Sequence, residues 1–72
     1  MYKADITVNF FNGGTGAKVI FASSLEQVTD DATYFVTNLV KKGKQIYSET
    51  GSDTALVVNH MIVAKKDKEI WL

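Results

Sequence analysis

The segment Gly13-Gly14-Thr15-Gly16-Ala17-Lys18 comes nearest to a chemical motif. Glycines let backbone amides approach a phosphate, and a lysine follows them. The spacing does not fit that chemistry. A phosphate-binding loop places four residues between its glycines, then carries Lys and Ser or Thr into a helix. Here Val19 follows the lysine, and the residues after it read as a strand. Position 19 also lacks the third glycine of a dinucleotide fingerprint. The segment therefore reads as a hairpin turn.

His60 is the single histidine. As a general base it needs a nucleophile and an orienting carboxylate, and no such pair is legible at any spacing from it. As a metal ligand it has only Asn59 beside it, a poor donor. It reads as a turn or surface residue. Glu26, Asp30 and Asp31 could be taken for a carboxylate pair or a cation site. They also stand at the start of a helical pattern, where negative charge meets the positive end of the helix dipole. That placement explains them without a ligand. No catalytic residue, metal or cofactor is expected, and the chain does not read as an enzyme.

The lysines carry a more specific possibility. Lys41, Lys42 and Lys44 form one cluster, and Lys65, Lys66 and Lys68 another, with Tyr47 and Trp71 close in sequence. Lysines beside exposed aromatics are one footprint of single-stranded nucleic-acid binding. Asp67 and Glu69 interrupt the second cluster, and the chain has no arginine for bidentate base contacts. A solvated face or edge protection accounts for the same residues. Eight basic residues against eight acidic ones give a formal net charge of zero. No global attraction to nucleic acid or to an anionic membrane follows from that balance.

The element that must position everything else is a helix from Ser24 to Gly43. Leu25, Val28, Ala32, Phe35, Val36, Leu39 and Val40 recur at three-and-four spacing and make one apolar stripe. Ser24 with Gln27 fits a capping box, and Ser23 with Glu26 fits equally well. A start at Thr29 or Asp30 is a second option. Gly43 can close the helix in the left-handed conformation.

Before it, Tyr2, Ala4, Ile6, Val8 and Phe10 alternate with polar residues in strict period two, the pattern of a strand with one buried face. Asn12-Gly13 is a hairpin signal. A loop of two or four residues pairs that strand with Ala17 to Ala22. Either length leaves Phe11, Ile20 and Ala22 on the outer face. After the helix, Lys44 to Glu49 reads as a short strand and Thr50 to Asp53 as a polar turn. Ala55 to Ala64 reads as a hairpin about Asn59-His60, or as one long strand without that turn. Lys65 to Lys68 reads as a turn and Glu69 to Leu72 as a last strand.

The expected fold is thus α+β in the order β-β-α-β-β-β, with a mainly antiparallel sheet carrying the helix on one face. It is a single small domain over residues 1–72. Such a chain is too short to bury much more than about 60% of its unfolded surface, and it has no cysteine to staple it. No apolar run approaches the ~18 residues of a membrane span, and Met1 leads straight into a strand with no signal peptide. A cytoplasmic setting with no membrane partner is the expectation.

The segment Ala55 to Ala64 is apolar on both faces, and one helix can cover only one. Unmet burial therefore points to self-association, as a dimer with stacked sheets. The candidate residues are Phe11, Ile20, Val57, Ile62 and Trp71. The expected function is a non-enzymatic protein–protein interaction module that binds a copy of itself or another protein. Single-stranded nucleic-acid binding through the two lysine clusters is the alternative.

Overall fold

A computed structural model describes residues 1–67. Two antiparallel strands, β1 (Tyr2–Phe10) and β2 (Thr15–Ala22), lead into the helix α1 (Leu25–Thr50). A 3-10 turn at Asp53–Ala55 then returns the chain to β3 (Val57–Lys66). The sheet order is β2-β1-β3, and both pairings are antiparallel. The class is therefore α+β with a small antiparallel sheet. The described residues form three strands, so the order β-β-α-β-β-β does not hold for them. The expected strand Glu69 to Leu72, with Lys68 and Trp71, lies outside the described residues.

The first correction concerns the helix end. Gly43 does not stop α1, which runs seven residues further and is closed by Gly51 at φ 72. The apolar stripe does not stop at Val40 either. It passes through Gly43, which is buried, to the half-buried Ile46. Lys44 to Glu49 forms the last turns of α1 and not a strand. Gly43 serves a close approach: a Cβ there would overlap the carbonyl oxygen of Ala55. The glycine interrupted the apolar pattern in sequence because the element it packs against is backbone. At the other end Ser24 is the N-cap, and its Oγ accepts from the Gln27 amide at 3.1 Å. Gln27 does not reach back to close the box; its side chain donates to Asp31 at 2.8 Å.

The second correction concerns β2. The hairpin loop has three residues, an odd number. Phe10 N donates to Gly14 O at 2.8 Å, and Gly13 N donates to Phe10 O at 3.0 Å. Phe11, Asn12 and Gly13 lie between. Gly13 has φ 89 and Asn12 has no positive φ, which excludes the two-residue turn with both central residues left-handed. This is the three-residue hairpin in which a left-handed glycine supplies the bulge. The Asn12 side chain holds it by accepting from Gly14 N at 2.9 Å.

An odd loop shifts the pairing by one residue against an even one, and a shift of one turns every side chain to the other face. Val8 pairs with Gly16, Ile6 with Lys18, Ala4 with Ile20 and Tyr2 with Ala22. Ile20 and Ala22 therefore lie on the helix side, and Ala17, Val19 and Phe21 lie outside.

Of the two readings of Ala55 to Ala64, the long strand holds and Asn59-His60 is no turn. β3 runs through it, with His60 opposite Val8 and Asn59 opposite Asn9, and the register shifts just before, where Phe10 pairs with Val57. Lys65 and Lys66 belong to the same strand and pair with Lys3 and Tyr2.

The core lies between the sheet and α1. Ala4, Ile6, Val8, Val28, Ala32 and Val36 are buried. Tyr2, Phe10, Ile20, Ala22, Phe35, Leu39, Val40, Val57, Ile62 and Ala64 pack around them. Leu25, placed in the stripe by its spacing, is 48% exposed. It opens the helix ahead of the first turn that meets the sheet. At 1.5 Å per residue α1 is roughly 39 Å long, against roughly 30 Å for β1. Gly43 already backs onto Ala55, near the Phe10↔Val57 end of the sheet. The final turns of α1 thus project past it.

Candidate interaction face

The side of the sheet away from α1 carries no covering element among the described residues. The register arranges it in four rows across β2, β1 and β3. Phe21, Lys3 and Lys65 form the first. Val19, Asp5 and Val63 form the second, and Ala17, Thr7 and Met61 the third. Thr15, Asn9 and Asn59 form the last. The central strand is polar along this face, while both flanking strands are apolar in the middle rows. Val19, Phe21, Met61 and Val63 are 47%, 51%, 60% and 43% exposed. Valine, phenylalanine and methionine at such exposure leave apolar area in water that folding has not removed.

The two ends of the face differ in charge. Lys3 and Lys65 are direct cross-strand partners, two like charges on neighbouring strands, with Asp5 one row further in. At the other end Asn9 Nδ2 donates to Asn59 Oδ1 at 2.6 Å. That amide pair is neutral and keeps acceptor capacity toward solvent.

The residues expected to mediate self-association do not gather on this face. Ile20, Val57 and Ile62 pack against the core beneath α1. Phe11 is exposed at the hairpin tip, and Trp71 lies outside the described residues. Reading an even loop into the hairpin placed Ile20 outside, and the odd loop exchanges it for Val19 and Phe21. Met61 and Val63 were legible only as part of a segment apolar on both sides. Once β3 is one continuous strand, its pairing of Met61 with Thr7 and Val63 with Asp5 puts them on the open face, while the register shift beside Asn59 turns Val57 to the core.

The lysine clusters stay apart. Lys41, Lys42 and Lys44 are exposed on α1 around Gly43, at the Phe10 end of the sheet. Lys65 and Lys66 pair with Lys3 and Tyr2 at the opposite end. About seven residues of strand, roughly 23 Å, separate those ends. Lys18 is on the helix side of β2, with Nζ 5.9 Å from the centroid of the Phe35 ring. It stands beside an open cleft of about 100 Å³ lined by Val8, Phe10, Gly16, Ala17, Phe35 and Leu39.

The segment Gly13 to Lys18 forms the hairpin turn and the start of β2, so its glycines do not open a helix. His60 is exposed in β3. Glu26 lies in the first turn of α1, and Asp31 accepts from Gln27. Among the described residues no three His, Asp or Glu side chains gather as a metal-binding group. Nor is any described helix long and apolar enough to cross a membrane. No protein-family model, curated protein or solved structure matches the chain.

Proposed function

We propose that this chain is a non-enzymatic protein–protein interaction module whose first partner is a second copy of itself. The observation that supports this reading is the open sheet face, where Val19, Phe21, Met61 and Val63 flank a polar central strand. Large apolar side chains exposed together on one face mark an interface more often than isolated ones do. A two-fold arrangement is the commonest way to bury such a face against an identical chain. Sedimentation velocity over a wide concentration range tests it. The expected result is a species of twice 8.0 kDa that grows with concentration. A single species of 8.0 kDa at high micromolar concentration would overturn the reading.

Single-stranded nucleic acid is the second reading, and the row Phe21–Lys3–Lys65 favours it. There an exposed aromatic ring adjoins two ammonium groups on one face. A ring on which a base can stack beside cations that can meet phosphate is the minimal unit of such binding. Titration of a labelled oligonucleotide at low and moderate salt separates the readings. Binding that falls steeply with salt supports nucleic acid.

A further inference from the structure

Resting on the self-association reading, we infer that two copies stack their open sheet faces antiparallel, with the lysine end of one over the asparagine end of the other. The two-fold axis then lies between the sheets and crosses the strands at the level of Ile6. The argument is one of charge. The face is asymmetric along its strands, with Lys3 and Lys65 at one end and the Asn9–Asn59 amide pair at the other. A parallel stack, with its axis along the strands, reverses the strand order across the interface, so that on the central strand Lys3 meets its own copy and Asp5 meets its own copy, while Lys65 lies over the partner's Phe21. Like charges then meet at two places on the axis, and like charges in contact oppose association.

The antiparallel stack removes that conflict row by row. Lys3 and Lys65 face the partner's Asn9 and Asn59, whose amide oxygens accept hydrogen bonds from ammonium groups. Asp5 faces the partner's Thr7, whose hydroxyl donates to a carboxylate. Val19 faces the partner's Ala17 and Val63 faces the partner's Met61, so the two middle rows meet apolar on apolar, while Phe21 faces the partner's Thr15.

The size of the face sets the strength. Nine residues by three strands cover roughly 30 Å by 14 Å, about 420 Å² in plan on each copy. Two copies together bury on the order of 800 Å² before side-chain relief is counted, at or below the lower end of specific interfaces. The dimer is therefore expected to be weak, dissociating in the micromolar range, which fits a reversible self-interaction.

Asn59→Asp tests the arrangement. Asn59 is the acceptor in its pair with Asn9, so a carboxylate keeps that bond and the fold. In the antiparallel stack the new charge faces the partner's Lys3 and Lys65, twice per dimer. Sedimentation equilibrium at low salt should then show a dissociation constant about tenfold lower than wild type, with the gain lost at high salt. Weaker association of the variant would mean that like ends meet, and would overturn the antiparallel arrangement. An unchanged constant would mean that the two ends do not meet, as in edge-to-edge pairing, and would overturn it as well. Monomers for both proteins at every concentration would overturn the self-association reading itself.

Discussion

Gly43 shows how a single residue can mislead a reading of the chain and still be decisive in the fold. In a helix pattern that ends in two lysines, a glycine reads as a stop signal. Here it is a buried point of contact, where the Ala55 carbonyl comes so close that no side chain fits. Two effects compete when it is replaced. Alanine is the better helix former by about 1 kcal/mol. Overpacking against backbone costs typically about 1–3 kcal/mol and here demands movement of the chain after α1. The clash is with backbone and not with the tip of a flexible side chain, so it wins. Gly43→Ala should lower the denaturant midpoint, and a raised midpoint would show that Asp53–Ala55 yields freely. The N-cap, by contrast, is legible to within a residue, at Ser24 or Ser23, because a cap depends only on residues a few positions away, and the structure selects Ser24.

At the scale of elements, local pattern carried β1 and most of α1, and parity decided the rest. The period-two alternation of Tyr2 to Phe10 is enough to place Ala4, Ile6 and Val8 in the core. The face of β2 is not set by β2 alone, since its residues are apolar on both sides. It depends on whether the loop before it is odd or even. The sequence Asn12-Gly13-Gly14 admits both, and the bond from Gly13 N to Phe10 O selects the odd one. The Lys44–Glu49 segment was misread for a related reason: with glycine at a stripe position, the helical period was interrupted.

The register yields a paired test. Ile20→Lys places a charge against the core and should cost several kcal/mol, leaving the protein largely unfolded. Val19→Lys places it on the open face and should leave folding nearly unchanged while weakening self-association. Circular dichroism with thermal melts reads both variants. If Val19→Lys unfolds the protein and Ile20→Lys does not, the faces of β2 are the other way round.

For the molecule as a whole, the described residues make two layers from one helix and three strands, and among them nothing covers the outer side of the sheet. A domain of this size buries little surface for its length. The apolar residues of its flanking strands can still be removed from water by a second copy. The sequence announced that excess through a segment apolar on both faces. It could not say which residues stood on which side, because that required the loop parity and the register of β3, with its shift beside Asn59, together.

The measurement that bears most directly on the open face as an association surface is a concentration series of methyl and amide spectra. Dilution should shift the signals of Ala17, Val19, Met61 and Val63 together along one binding curve, with Asp5 and Thr7 following. The buried Val28, Ala32 and Val36 and the exposed Tyr34 on α1 should hold still. Shifts confined to α1 around Tyr34 or Tyr47, or spectra that do not change from micromolar to millimolar concentration, would contradict the account.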